Sequence, residues 1–186
     1  MVHPIFVYGS DVLRMTAETV DLTAPGIAGE VKMLVGDMFE TMYKADGLGL
    51  AAPQIGKSIR VLVVDGLPLS DELPELKESK RAMINPVVVE ESDDEVEYSE
   101  GCLSIPDIHA NVSRAEWIRV AYFDEELSAK EEIFDGYLCR MVQHEMDHLD
   151  GVLFVDKIAP IRKKMLVSKL NGIKSGKTKP HYKTAK

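Results

Sequence analysis

The sequence predicts an α+β fold, with mixed and antiparallel strands packed around one central helix and a further helix toward each end of the chain. Three observations predict it. Helical and strand-like periodicities run in the order helix, strands, helix, helix, without the regular alternation of a doubly wound parallel sheet. The 186 residues, 45% hydrophobic and 28% charged, suit one compact domain. No internal repeat divides the chain, so residues 1–158 read as its body and 159–186 as a C-terminal helix and basic tail of the same domain.

Each element has its own signal. Ile27, Val31, Leu34, Val35, Met38, Phe39 and Met42 recur at helical spacing, which predicts an amphipathic helix over residues 28–45, ended by Asp46 and Gly47. Residues 59–65 are β-branched and apolar, the composition of a buried strand, whereas 66–81 mix proline with charge and read as a surface loop. A second strand is expected at 83–90. Seven acids between Glu90 and Glu100 predict an exposed turn and a short strand there. Residues 117–123 alternate as a strand does, and Ile133 with Phe134 closes another before Asp135, an N-cap residue. The helix that follows carries an apolar stripe of Leu138, Met141, Val142, Met146 and Leu149, and Gly151 is placed to stop it. Pro160 fits the first turn of a last helix reaching about Leu170. Residues 171–186, rich in glycine and lysine, are expected to fray.

Composition narrows the function classes. No apolar run approaches the roughly 20 residues of a membrane-spanning helix, and the first ten residues lack a basic flank leading into an apolar stretch, so a cytoplasmic protein is expected. Two cysteines, Cys102 and Cys139, are too few for a disulfide scaffold. Ten of the 22 basic residues and none of the 31 acids lie at 157–186, so the body carries a formal −19 and the tail +10. An acidic body argues against a general DNA-binding domain. The basic tail suits either solubility or docking on a phosphate-rich surface such as ribosomal RNA.

The sharpest local signal is His144-Glu145-Met146-Asp147-His148. Four residues of helix turn by only about 40°, so both imidazoles share a face and can share one metal ion, while Glu145 can handle the protons of a nearby water. A catalytic site of this type needs a third protein ligand. None suitable follows. No glutamate comes after Glu145, the tenth residue after His144 is Phe154, and the only later histidine is His181 in the tail. The upstream candidates are Cys102, Cys139, His109 and His3. Cys139 lies five residues before His144, about 140° from the ligand face, and reads as a small buried apolar residue. For Cys102, a ligand and an inert buried thiol are equally supported by the residues alone.

Three segments together resemble the signature motifs of the peptide deformylase family: Gly47-Leu48-Gly49-Leu50-Ala51-Ala52-Pro53-Gln54, Glu100-Gly101-Cys102-Leu103-Ser104, and Gln143-His144-Glu145-Met146-Asp147-His148. They stand in the family's order, and the resemblance is weakest over 66–81 and beyond Asn171. It implies that the body, residues 1–158, is the catalytic part. It also implies that Cys102, His144 and His148 ligate one divalent metal around the central helix, that Glu145 is the catalytic acid and base, and that the Gln54 side chain and the Leu103 amide stabilise the oxyanion. The methionine side chain would lie against Leu48, Glu100, Tyr137, Met141 and His144, with Gly49 leaving room for an extended substrate to pair with the backbone.

The implied reaction is hydrolytic removal of the formyl group from the N-terminal formyl-methionine of nascent proteins, releasing formate. Two positions depart from the family pattern. His109 stands where many members carry arginine, and Arg140 stands where an apolar residue is usual and is expected to form a polar rim. A thiolate with two imidazoles suits Zn2+ by softness, whereas the family implies Fe2+ in the cell, with zinc or another divalent ion able to take the same ligands. The last helix resembles the element by which some bacterial members bind the ribosome. Two rival readings are a metallopeptidase, against which the missing downstream ligands weigh, and a non-catalytic ribosome-associated protein with a structural metal.

Overall fold

The computed structural model describes residues 1–186. In chain order it contains β1 (Ile5–Phe6), α1 (Ile27–Lys44), β2 (Gly49–Ala51), β3 (Val61–Val64), β4 (Arg81–Glu91), β5 (Glu95–Cys102), β6 (Ile105–Ala115), β7 (Trp117–Phe123), β8 (Ala129–Asp135), α2 (Gly136–Leu149), α3 (Pro160–Lys174) and β9 (Thr184–Ala185). Five strands form one antiparallel sheet in the order β2-β3-β4-β7-β8. β5 and β6 form a separate antiparallel hairpin, and β1 pairs in parallel with β9. This is the α+β class that the sequence predicts.

Alternation along β3 explains why the main sheet is covered on both faces. Val61 and Val63 join the cluster built on α1, with Val31, Val35, Met38 and Met42, while Leu62 and Val64 join the cluster built on α2, with Met141, Val142, Met146 and Leu149. All four β3 side chains are fully buried, which is why 61–64 is one continuous apolar run. A third cluster joins Ile105, Ile108 and Val112 of β6 to Leu153, Phe154 and Val155 after α2 and to Leu170 and Ile173 of α3. The helix containing His144 and His148 is thus held between the sheet and the hairpin.

Three expectations are corrected. The acid-rich stretch is not just a turn and a short strand: Glu95–Cys102 is an eight-residue strand, paired with an eleven-residue β6 that the sequence did not reveal. Its acids alternate, so Glu95 and Glu97 face water while Val96, Tyr98 and Glu100 turn inward. The last helix runs on to Lys174, because Leu170 and Ile173 are both buried. Nor does the tail fray: it returns across the molecule, and Ile5 pairs with Thr184 and Phe6 with Ala185. The expected 66–81 loop holds two short 3-10 turns, Leu67–Leu69 and Pro74–Glu78, and its last residue, Arg81, already opens β4.

The end of α2 depends on one glycine. Gly151 has φ +71°, a left-handed conformation, and a Cβ on it would lie 2.7 Å from the Arg14 carbonyl oxygen. Gly151→Ala should therefore destabilise the fold by at least about 1–2 kcal/mol, the left-handed penalty alone. Thermal unfolding should show this as a drop of several degrees in Tm; an unchanged Tm would mean that the backbone here leaves the left-handed conformation without cost, and that α2 does not depend on Gly151.

Candidate metal centre

Cys102 is the last residue of β5. Register between β5 and β6 shifts between Glu100 and Cys102, so that Cys102 stands opposite Ile105 across a two-residue turn, Leu103-Ser104. This turn carries the thiol to the face of α2 that displays the two histidines. The Cys102 Sγ lies 3.2 Å from His148 Nε2, and one donor atom from each of Cys102, His144 and His148 falls within 4.8 Å of the others. The structure therefore brings together the two histidines and Cys102 rather than Cys139. The latter is buried in the core cluster on α2, with its thiol 3.9 Å from the Ala115 carbonyl. His3 is taken up elsewhere, with its Nε2 3.2 Å from Asp37.

Glu100 orders the site. Its carboxylate accepts from Arg114 Nε at 2.6 Å and Nη2 at 2.9 Å and from Arg140 Nη1 at 2.8 Å, and it lies 2.8 Å from His144 Nδ1. Engaging Nδ1 turns Nε2 toward the centre, where a metal ion would take the place of its proton. Burial disfavours ionised Glu100, but Arg114 and His144 outweigh it and hold this carboxyl well below the usual range. Burial likewise opposes a charged His144, but Cys102 and Glu100 beside the ring hold its pKa well above the usual value. At His148, burial and the charge on His144 act together and keep the ring neutral. Arg114 Nη1 also donates to Asp147 at 2.5 Å.

Glu145 is buried, and its Oε2 has no partner in the chain. Burial pushes its carboxyl up to about 7. It reaches its place through Gly49: a Cβ there would lie 2.3 Å from Glu145 Oε1. Gln54 is held by its own backbone turn, because its Oε1 accepts the Ala51 N–H at 2.8 Å. The amide nitrogen is thereby turned toward the thiol, 3.1 Å from Ser104 Oγ and 3.6 Å from Cys102 Sγ. No turn or loop hydrogen bond uses the Leu103 N–H.

The cleft over this centre has a volume of about 630 Å³, and Leu48, Gly49, Glu100, Tyr137 and Met141 all line it together with His144 and Glu145. Tyr137 packs edge-on against Tyr98, with ring centroids 5.9 Å apart. Both Glu100 oxygens are already engaged, so what Glu100 adds to the cleft is position rather than a free charge. His109 lines the same cleft, its ring over the Gly101 backbone. The expected polar rim at Arg140 is corrected: Arg140 is 3% exposed, donates to the Val112 and Val96 carbonyls and lies over the Tyr98 ring. It is buried because Glu100 needs its charge inside. Sequence reasoning missed Arg114 and the wall made by Lys179, Pro180, His181 and Tyr182. A buried acid beside a ligand calls for a cation, which is the signal that could have found Arg114 had the burial of Glu100 been legible; the composition of the tail gives no comparable sign.

The donor set suits a divalent transition ion: one thiolate, two imidazoles with their rings set at 72°, and an unpartnered buried carboxylate oxygen beside them. A family model described as Polypeptide deformylase matches residues 2–164. The peptide deformylase of Flavobacterium johnsoniae is 42% identical over 98% of this chain and 95% of its own length, and that of Salinibacter ruber is 42% identical over 98% and 93%. Among solved structures, the peptide deformylase of Thermus thermophilus superposes with a TM-score of 0.82 at 39% identity, covering 95% of this chain and 99% of that one. The enzyme of Legionella pneumophila gives 0.81 at 35% identity, over 95% and 98%. On sequence and on structure alike, the chain belongs to the polypeptide deformylase family.

Proposed function

We propose that this peptide deformylase works through one divalent ion held by Cys102, His144 and His148, and that the convergence of these three donors beside the unpartnered Glu145 carboxylate carries the reading. When bound, the ion supplies Lewis acidity, making a water a stronger acid and drawing charge from the formyl oxygen. Glu145 takes the proton of the attacking water and hands it to the departing amine nitrogen, which leaves poorly without it. The Gln54 side-chain N–H and the Leu103 amide donate to the formyl oxygen as negative charge grows there. Supporting this, the Gln54 amide is oriented by the Ala51 N–H before any substrate arrives. Products are formate and a free N-terminal methionine.

Leu48, Tyr137 and Met141 form the slot for the methionine side chain, which an unbranched thioether fits. Gly49 keeps space for Glu145 and for the substrate backbone. Family resemblance favours Fe2+ in the cell, and the same ligands accept Zn2+. Residues 1–158 are the catalytic body in this reading, and action on nascent chains fits a cytoplasmic protein. No helix is long and apolar enough to cross a membrane.

Docking of α3 on the ribosome belongs to the same reading. Arg162, Lys164 and Lys169 are exposed and form no ion pair, whereas Lys163 is bound to Asp156 and Lys157 to Asp147. Removing the whole segment would also strip Leu170 and Ile173 from the core, so charge reversal is the cleaner probe. Arg162→Glu, Lys164→Glu and Lys169→Glu together should weaken co-sedimentation with ribosomes at low salt and leave turnover of free formyl peptides intact. Unchanged co-sedimentation would remove α3 from the account.

The catalytic reading is tested with formyl-Met-Ala and Met-Ala-Ser on anaerobically purified protein, with its metal measured. Formate should appear from the first peptide, and the second should stay uncut. Glu145→Ala should retain the ion and lose turnover by roughly 10²- to 10⁴-fold. Near-normal turnover in that variant would end the assignment. Gly49→Ala, which pushes against Glu145 Oε1, should keep the fold and lose turnover by roughly 10²-fold, and an active Gly49→Ala would show that Glu145 has another way into place.

A further inference from the structure

The Leu103-Ser104 turn is held from three directions. Gln54 Nε2 donates to Ser104 Oγ at 3.1 Å, the Tyr8 backbone N–H donates to the Ser104 carbonyl at 2.8 Å, and the Tyr182 hydroxyl donates to the Leu103 carbonyl at 2.7 Å. Two of these three come from opposite ends of the chain. Tyr8 follows β1 and Tyr182 precedes β9, and these two strands pair with each other. The Tyr182 ring packs against the cluster built on α1, and the residue lines the catalytic cleft. His181 beside it reaches Asp46, the residue before Gly47, so the tail touches the segment leading to Gly49 as well as the turn after Cys102.

From this we infer that Tyr182 is a positioning residue for deformylation: the C-terminal tail, anchored on β1, fixes the Leu103 peptide units so that the Leu103 N–H meets the oxyanion. The inference rests on the oxyanion role proposed above for Leu103. An amide donor stabilises a developing charge only if it already points at the place where that charge forms. The turn has no regular sheet partner beyond the Cys102–Ile105 pair, so its orientation depends on these outside contacts. Burial raises the Tyr182 hydroxyl pKa, which keeps it a donor at working pH.

Tyr182→Phe in the full chain removes the hydroxyl and keeps the packed ring. It should lower kcat for formyl-Met-Ala roughly tenfold with KM within about twofold, since a small misplacement of a donor acts on the transition state. Tm should stay within a few degrees, and amide hydrogen exchange at residues 103–105 should quicken. Replacing Tyr182 with 4-aminophenylalanine restores a donor at the same place and should recover most of kcat. It also provides an arm that survives if the phenylalanine variant folds poorly. Lys183→Ala, the next residue along the tail but outside the cleft, should behave as the parent. Unchanged exchange at 103–105 in Tyr182→Phe would overturn the clamp itself. Quickened exchange with unchanged kcat would overturn its catalytic purpose and put the fault in the oxyanion role of Leu103. A parent enzyme that releases no formate would instead overturn the proposed function.

Discussion

The centre depends on one buried carboxylate. Glu100 sits near the end of β5, Arg114 on β6, and Arg140 and His144 on α2, so a single side chain binds the hairpin to the helix. Cys102 is only two residues beyond it along the same strand. Any slip of the hairpin along α2 would move the thiol away from the imidazoles and break the Glu100 contacts at the same time. The group is also balanced: Glu100 and Asp147 offset Arg114 and Arg140 inside the protein. Such a network is no free gain in stability, because taking these charges out of water is expensive, and losing one partner from a buried pair typically costs about 3–5 kcal/mol. Its value lies in fixing one arrangement of hairpin against helix.

Helix α2 serves core and site at once, and its periodicity separates the two. Val142, Met146 and Leu149 pack against the sheet, and Met141, at the edge between the two faces, joins the same cluster and lines the cleft. Arg140, His144 and His148 follow one another at four-residue spacing on the other side, so the first two meet Glu100 and the last two lie against Cys102, with His144 also lining the cleft. Burial of both faces explains why the ring nitrogens are so sensitive to their neighbours. His144 is drawn toward the charged form and His148 is kept neutral, although one turn of helix separates them.

Local signals were legible and long-range ones were not. The α1 stripe, the all-apolar β3 and the His144/His148 pair each declare themselves within a few residues. Strand β5 was hidden because its inward-facing set, Val96, Tyr98 and Glu100, includes an acid, and an acid at a core position breaks the two-residue pattern. Arg140 looked like a surface residue for the mirror-image reason: only the presence of Glu100 below it makes burial tolerable. The thiol of Cys102 could be weighed but not decided from the residues, since nothing local tells a ligand from an inert buried cysteine. The tail reads as loose because lysine and glycine dominate it, and its partner, Ile5–Phe6, lies at the far end of the chain.

The groups around the centre are joined by contacts distant in sequence: 48 residues from Gln54 to Cys102, 44 from Glu100 to His144, and 79 from Leu103 to Tyr182. No isolated hairpin or helix can hold them, since the entropy of closing such loops is recovered only once the clusters around them form. The ligand geometry is therefore a property of the finished fold. Contacts that the chain makes on its own, Glu100 to His144 and Gln54 to the Ala51 backbone, already orient two of the groups that face the cleft. Preorganisation of this kind means that little rearrangement remains when a substrate enters, which is what electrostatic stabilisation of a developing charge requires.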